Sequence, residues 1–192
     1  MSANRFESAY DGTPPWDIGR PQPAIVRLAE TGQIKGSVLD VGCGTGENVL
    51  YLAERGFPAV GIDGAPSAIR KARAKAKARG INVEFEIADA LDLSLPAPFE
   101  TAIDSGLFHV FSDEERPRFR DSLAGVVRPG GNYFLMCFSE REPGDWGPRR
   151  VTQAEIRSVF HAEWRVNSIE PSVFETNLGE VQAWLASISR LE

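Results

Sequence analysis

The stretch Ser37–Glu47, SVLDVGCGTGE, constrains the fold of this chain more than any other part of its sequence. Apolar residues around one acid, Asp40, predict a short buried strand, and Asn48–Arg55 is predicted to be the helix that follows it. The turn between them carries three glycines at alternate positions, Gly42, Gly44 and Gly46. Glycine accepts positive φ angles and lets a ligand approach the backbone closely. Since open α/β sheets bind ligands at the carboxyl ends of their strands, we predict a ligand site at this turn.

The glycine spacing narrows the kind of ligand. A dinucleotide fingerprint G-x-G-x-x-G would need its third glycine at Glu47 or Val49, and a P-loop would need a following G-K-[ST]. Neither pattern is present, so a nicotinamide-dependent oxidoreductase is the least favoured class. A glycine-rich turn that merely connects a strand to a helix stays open as the alternative.

A second acid ends the next predicted strand, Ala59–Asp63, and stands 21 residues after Gly42. In βαβ nucleotide sites an acid about 20 residues past the first glycine binds ribose hydroxyls, because a carboxylate accepts two vicinal hydrogen bonds. We therefore predict that Asp63 binds a ribose, with a solvent-exposed strand-end acid as the alternative.

The pattern Asp-x-Gly-x-Gly-x-Gly from Asp40 resembles motif I of the class I S-adenosylmethionine-dependent methyltransferases, and the resemblance covers most of the chain. It implies a single doubly wound, Rossmann-like α/β domain. The sheet would be mostly parallel with seven strands, an antiparallel last strand and helices on both faces. The implied cofactor, S-adenosylmethionine, carries a cationic ammonium and sulfonium, which suit an acid and outward carbonyls. Helix-end N–H groups suit its carboxylate.

The same resemblance implies cofactor contacts by position. An acid after the third strand accepts the adenine amino hydrogen bond and a neighbouring N–H meets the ring, which matches Asp89 and Ala90. The cofactor-binding set implied in the body of the domain is Asp40, Gly42, Cys43, Gly44, Gly46, Asp63, Gly64, Asp89, Ala90, Asp104 and Ser105.

Residues 1–23 contain aromatic residues among Pro, Gly and polar residues. Such a segment is either a loosely packed tail or a cover for the cofactor site. Trp16 and Gly19 form a Trp-x-x-Gly that resembles the start of thiopurine methyltransferases, in which this segment closes over the cofactor. We predict a lid segment at 1–23 and a methyltransferase domain at 24–192. Trp16 and Arg20 would meet the cofactor, and Tyr10 and Trp16 the methyl acceptor.

On the acceptor side, His109 follows the fourth predicted strand, Phe99–Ser105, whose end faces the methyl-transfer point in this family. A neutral imidazole can accept a proton near neutral pH, which makes His109 the candidate catalytic residue. Arg116 lies ten residues after Gly106, at the spacing of an arginine beside the substrate of thiopurine methyltransferases. Trp146 completes the predicted substrate residues. Alternatively, His109 is packed in its loop, and Arg116 is a solvated helix residue paired with Asp113 or Glu114.

Composition excludes several partners. The formal charge is −6, and the cations of the predicted helix from Pro66 to Arg79 are interpreted as its solvated outer face. Nucleic acid and membrane are therefore not expected, and no apolar run approaches the ~20 residues of a spanning helix. Two cysteines and no signal peptide predict a reducing cytoplasm. No metal-ligand cluster is present, and a monomer or homodimer is expected.

We therefore predict transfer of a methyl group from S-adenosylmethionine to an O, S or N atom of a small, aromatic molecule by in-line displacement. Only residues 1–23 and the loop Glu140–Arg150 remain outside the predicted sheet to build an acceptor site, which indicates a compact pocket. Related bacterial enzymes act on quinone-like aromatics or tellurite. Residues 1–23 contain one tryptophan, whereas thiopurine enzymes tend to have two in this segment. The identity of the methyl acceptor therefore stays open. The alternative is a non-catalytic cofactor-binding or regulatory subunit.

Overall fold

The computed structural model describes residues 6–96 and 98–192. Within them the helices are α1 Pro23–Glu30, α2 Glu47–Glu54, α3 Pro66–Arg79, α4 Glu115–Val126 and α5 Gln153–Val159. The strands are β1 Val38–Val41, β2 Ala59–Asp63, β3 Glu84–Ile87, β4 Phe99–Ser105, β5 Val127–Phe138, β6 Trp164–Thr176 and β7 Gly179–Arg190. Short 3₁₀ helices cover Glu7–Asp11 and Phe108–Val110.

All seven strands form one sheet in the order β3-β2-β1-β4-β5-β7-β6. Strands β1 to β5 pair in parallel, whereas β7 runs antiparallel to both of its neighbours, β5 and β6. The predicted mostly parallel sheet with an antiparallel last strand is confirmed. Since β1, β2 and β4 are parallel neighbours, their carboxyl ends meet at one edge, beside the point where the strand order reverses between β1 and β4.

The sheet separates two apolar cores. On one face α1, α2 and α3 contribute buried residues such as Ile25, Leu50 and Ile69. On the other face α4 and α5 contribute residues such as Leu123 and Ile156. The alternation of side chains along each strand supplies both cores, so the predicted helices on both faces are confirmed.

Strand β5 contains a bulge near its start. Val127 pairs with Phe99, and the ladder resumes where Asn132 pairs with Thr101, so the intervening residues lie outside the regular pairing. Helix α5 begins with a capping box, since the side chains of Thr152 and Glu155 bond each other's backbone N–H groups.

In residues 6–96 and 98–192, no helix has the length and apolar character needed to cross a bilayer. The same residues hold no group of three or more His, Cys, Asp or Glu side chains arranged to bind a metal ion.

Candidate active site

The glycine turn between β1 and α2 is fixed by sterics on both sides. Gly44 has φ +55°, and a Cβ there would lie 3.0 Å from the hydroxyl of Tyr10. Gly46 has φ +85°, and its Cβ would lie 2.6 Å from Cζ of Phe85. L side chains are strained at such positive φ angles, so both the backbone and the surroundings require glycine here.

Asp63, at the end of β2, fastens this turn. Its carboxylate accepts hydrogen bonds from the backbone N–H of Gly44 at 2.9 Å and of Ala65 at 2.8 Å. Burial raises the pKa of the Asp63 carboxyl, and the two backbone donors act in the opposite direction. A carboxylate has about four acceptor positions, so two of them remain for a ligand on the cavity side.

Asp40 lies beneath the turn and is 1% exposed. Neither of its oxygens has a hydrogen-bond partner of ordinary geometry among the described residues, although the side chain of Asn48 is close enough to affect its pKa. Burial and the neighbouring Asp104 carboxylate raise the pKa of Asp40 to about 8, while the side chain of Asn48 acts against that rise. A buried carboxylate without a partner is costly, and a nearby cation would stabilise its charged form.

Asp104 is buried as well, but its oxygens are occupied. They accept the backbone N–H groups of Leu107 at 2.6 Å and Phe108 at 2.9 Å, and the hydroxyl of Tyr133 at 3.0 Å. Burial raises the pKa of Asp104 to about 7. This side chain holds the turn that follows β4.

A cavity of about 980 Å³ opens at this edge of the sheet, and a smaller space of about 60 Å³ lies beside the glycine turn. Of the predicted residues, the larger cavity is lined by Tyr10, Trp16, Gly42, Asp63, Gly64, Asp89, Ala90, Ser105, His109 and Trp146. The smaller one is lined by Trp16, Arg20, Gly42, Cys43, Gly44, Gly46 and Ser105. Asp40, Asp104 and Arg116 line neither space. Ser105 therefore stands between the two, with a buried hydroxyl that has no partner among the described residues.

Residues of the amino-terminal segment line both spaces, and residues 1–5 of the predicted lid lie outside the described residues. Trp16 donates its indole N–H to the hydroxyl of Tyr10 at 3.1 Å. Asp17 accepts a hydrogen bond from the side chain of Thr45, in the glycine turn, at 2.9 Å. Arg20 forms an ion pair of 2.5 Å with Glu175 on β6.

Two cations of α3, Lys71 and Lys75, are half-buried and differ from the predicted solvated face. The other cations of this helix are exposed as predicted, namely Arg70, Arg73, Lys77 and Arg79. Lys71 donates to the backbone oxygens of Tyr10 and Gly12, both at 2.8 Å. Lys75 donates to the Thr45 hydroxyl at 2.6 Å and lies 2.8 Å from the carboxylate of Glu47. The sequence pattern could not indicate these contacts, because the partners lie about 60 residues away for Lys71 and about 30 for Lys75.

His109 lies in the wall of the larger cavity and is 5% exposed. Its Nδ1 accepts the backbone N–H of Phe138 at 3.1 Å, so the proton of the neutral ring is on Nε2. The ring also packs edge-on against Phe138, with centroids 4.9 Å apart. Burial, together with Arg116 and Arg150, lowers the pKa of His109 to about 3.

Arg116 is 1% exposed and turns away from the cavity. It pairs with Glu155 at 2.9 Å, and its guanidinium lies 4.7 Å from the ring centre of Phe108. Asp113, which the sequence offered as a partner, is 3.8 Å away and exposed. Arg116 thus joins α4 to α5 behind the cavity wall.

Arg150 organises the loop that carries Trp146. Its guanidinium donates to five backbone carbonyl oxygens of that loop, at Glu142, Pro143, Gly144, Trp146 and Pro148. It also lies 5.4 Å from the ring centre of Phe138 and 5.8 Å from that of Trp146. Sequence analysis identified the loop but missed this arginine.

Phe138 and Phe174 are further cavity residues that the sequence did not indicate. Phe174 is on β6, and a Cβ on Gly106 would lie 3.0 Å from its ring. The β6–β7 hairpin reaches the site because β7 is inserted between β5 and β6. Only this topology, which local patterns do not encode, brings Phe174 to the end of β4.

Comparisons with known proteins agree with this geometry. A family described as a methyltransferase domain matches residues 38–131. The 2-heptyl-1-hydroxyquinolin-4(1H)-one methyltransferase of Mycobacteroides abscessus is 41% identical over 90% of this chain and 81% of its own length. The chain belongs to the class I S-adenosylmethionine-dependent methyltransferases.

Two solved structures support the fold of this methyltransferase. One, from work on the conversion of a disulfide bond into a thioacetal group during echinomycin biosynthesis, has a TM-score of 0.91 and 36% identity. The alignment covers 98% of this chain and 93% of that one. The magnesium protoporphyrin IX methyltransferase of Synechocystis PCC 6803, solved with S-adenosylmethionine bound, has a TM-score of 0.67 and 21% identity, with 85% and 76% covered.

The residues of this methyltransferase fit its cofactor. Asp40 is a buried carboxylate without a partner next to the turn, which suits a cationic ammonium. Gly44 and Gly46 have positive φ angles and line the smaller space, so the turn presents backbone without side chains there. Asp63 faces the larger cavity with acceptor positions to spare, which suits the vicinal hydroxyls of a ribose.

Proposed function

We propose that this methyltransferase modifies an O, S or N atom of a small aromatic molecule. The observation that carries the proposal is the wall of the larger cavity beyond Ser105. Aromatic rings of Phe138, Trp146 and Phe174 line it together with the imidazole of His109. Such a wall favours flat apolar ligands, and about 980 Å³ is at the upper end of the volume of small-molecule pockets.

The names of two similar proteins point the same way. The Mycobacteroides abscessus relative acts on a hydroxylated quinolone, which is an aromatic ring system with a nucleophilic oxygen. The structure from echinomycin biosynthesis concerns chemistry at sulfur. Both acceptor atoms are compatible with a cavity that holds its ligand mainly by ring contacts.

In this proposal, different residues hold different parts of S-adenosylmethionine. Asp63 and Gly64 hold the ribose, and Asp89 with Ala90 holds the adenine. The methionine end lies at the glycine turn, with the carbonyl and N–H groups of residues 42–46 around it and the buried Asp40 carboxylate beneath the turn. Trp16 and Arg20 close the site from the amino-terminal side, and Tyr10 packs between that segment and the turn.

The bound cofactor supplies a methyl group on a sulfonium, which is a good leaving group. The protein then contributes to the reaction by positioning the acceptor atom. The aromatic wall holds the acceptor atom in line with the methyl carbon, and Trp16 and Trp146 at the mouth exclude water. Arg116 would act indirectly, by fixing α4 against α5 behind the wall.

The proposal is tested by incubating the protein with isotopically labelled cofactor and a panel of phenols, thiols, quinols and heteroaromatic amines. Aliphatic compounds with the same functional groups serve as matched controls. We expect label in aromatic products and little in the aliphatic ones. Transfer to aliphatic acceptors alone would contradict an aromatic substrate. Cofactor binding by calorimetry without any transfer would instead support the non-catalytic alternative.

A further inference from the structure

Glu115, the first residue of α4, is a buried acid that has no role in the function proposed above. It is 6% exposed and lines the larger cavity, whereas its neighbour Arg116 does not. Oε2 of Glu115 accepts the backbone N–H of Ser112 at 2.9 Å, and the hydroxyl oxygen of Ser112 accepts the backbone N–H of Glu115 at 3.3 Å. These two reciprocal bonds fix the orientation of the Glu115 side chain.

The other carboxylate oxygen of Glu115, Oε1, is free. Within the part of the chain that the structure describes, no group donates a hydrogen bond to it and no cation lies within ion-pair distance. Arg149, which also lines the cavity, pairs with Asp113 and Glu155 instead. Oε1 is not sealed in the interior as the oxygens of Asp40 are, so it stays accessible from the cavity that Glu115 lines.

The acceptor end of the cavity therefore presents a negative charge that no described cation balances. Of the charged side chains that line the cavity, Asp63 and Asp89 are assigned to the cofactor, and Arg149 is neutralised by two acids. Arg150 does not line the cavity. The charge of Glu115 is thus the one that an acceptor molecule meets.

This charge makes the wall selective. A carboxylate oxygen that faces an open cavity is solvated by water, and an aromatic ligand displaces that water. The nearby lining residues Val110 and Phe111 have apolar side chains that cannot replace it. A carboxylate oxygen left without a partner is costly, whereas an N–H group on the ligand supplies a charge-assisted hydrogen bond. A negatively charged group on the ligand would instead be repelled.

We propose, on the basis of the function proposed above, that Glu115 determines which aromatic molecules the enzyme accepts. Oε1 of Glu115 accepts a hydrogen bond from an amino group of the acceptor, which is a different group from the one that receives the methyl. The preferred substrate class is amino-substituted aromatic molecules, and aromatic carboxylates are rejected. Glu115 is a specificity-determining residue that holds one end of the acceptor while the other end meets the methyl carbon.

The first experiment measures binding without turnover, in protein saturated with S-adenosylhomocysteine. The probes are amino-, methyl- and carboxy-substituted benzothiazoles that carry the substituent at the same ring position. We expect the amino ligand to bind about 10-fold or more tightly than the methyl ligand, as for a hydrogen bond to a charged group, and the carboxylate to bind most weakly. Equal affinities for the amino and methyl ligands in the parent protein would overturn the inference.

Variants of Glu115 test whether this preference comes from its carboxylate. Glu115→Gln keeps an oxygen for the Ser112 N–H and presents an NH₂ group to the cavity, so the amino preference should disappear and the carboxylate should bind more tightly. Glu115→Asp, with its carboxylate retracted by one methylene, should reduce the preference. Glu114→Gln is the matched control, since Glu114 is an exposed acid that lines neither space. An amino preference that persists in both Glu115 variants would overturn the inference.

The second experiment follows transfer of label from S-adenosylmethionine to thiophenols, or to whichever nucleophile the panel above identifies, with the same three substituents. Because substituents also change the reactivity of the nucleophile, the readout is the amino-to-methyl ratio of kcat/KM in Glu115→Gln relative to the parent, which should fall about 10-fold. Methylation with identical ratios in the two proteins would overturn this inference and leave the proposed function standing. Amino-selective binding without methylation of any aromatic would overturn the proposed function alone.

Discussion

The carboxylate of Asp63 accepts the backbone N–H of Gly44 at 2.9 Å, so the end of β2 holds the turn at the end of β1. The two parallel strands are neighbours, with Val41 opposite Ile62, which brings the acid and the glycine together. The residue proposed to bind the ribose is therefore also the one that shapes the turn beside it. Under this proposal, a single carboxylate would couple cofactor binding to the local structure of the turn.

Asp63→Ala should weaken S-adenosylmethionine binding by roughly 1–3 kcal/mol, because ribose hydroxyls and the Gly44 N–H are left without an acceptor. Calorimetric titration measures the dissociation constant. Asp92→Ala is the matched control, since Asp92 is an exposed acid nearby that lines neither cavity. An unchanged dissociation constant in Asp63→Ala would remove this residue from the site.

Gly46→Ala should destabilise the fold more than Gly56→Ala. Both glycines have φ +85°, but a Cβ on Gly46 would lie 2.6 Å from Phe85 and one on Gly56 meets nothing within 4 Å. Gly56→Ala thus costs about 1–2 kcal/mol for the left-handed backbone alone, and Gly46→Ala a further 1–3 kcal/mol or so for overpacking. Chemical denaturation gives both values. Equal losses of stability in the two variants would mean that the Phe85 ring moves aside at little cost.

Cofactor should slow hydrogen exchange in residues 10–20, since we expect this segment to close over the bound molecule. Lys75→Met should reduce that protection, because Lys75 bonds Thr45 in the turn and lies 3.7 Å from Asp17 in the segment. Lys77→Met is the control, as Lys77 is an exposed lysine of the same helix. Fast exchange that does not change with cofactor in the parent protein would favour a loose tail.

The protein without cofactor should lose stability as pH rises from about 5 to 8.5. Burial raises the folded pKa of Asp40 from 3.8 to about 8 and that of Asp104 to about 7. The folded state therefore binds more protons than the unfolded state in this window, and the free energy of unfolding falls as pH increases. Asp40→Asn should flatten the curve by more than about 1 kcal/mol, since one pKa unit is worth about 1.4 kcal/mol.

Thermal unfolding at closely spaced pH values checks this prediction. Asp104 still titrates in Asp40→Asn, so a smaller slope of the same sign should remain. Identical slopes in the two proteins would mean that Asp40 is already ionised in the folded state at pH 5.

The fold followed from local patterns because each element carries its own signal. The glycine turn, the strand that ends in Asp63 and the capping box at Thr152 each involve residues a few positions apart. That Asp63, Asp89 and Ser105 line one cavity was predictable for the same reason, since they stand where successive strands end. The acceptor end was not, because Phe174 arrives from β6 through a topology that no local pattern reveals. The commitment of His109 Nδ1 to Phe138 depends likewise on a contact 29 residues apart.

The loop held by Arg150 has a consequence for how such enzymes diverge. Its shape rests on one guanidinium and on carbonyl oxygens, which every amino acid possesses. The side chains at those positions accept none of these hydrogen bonds, and of them only the ring of Trp146 is recorded against the guanidinium. Mutations can therefore exchange the groups facing the acceptor one at a time while the backbone keeps its course. Descendants of this sequence can acquire new substrates without first having to evolve a new loop.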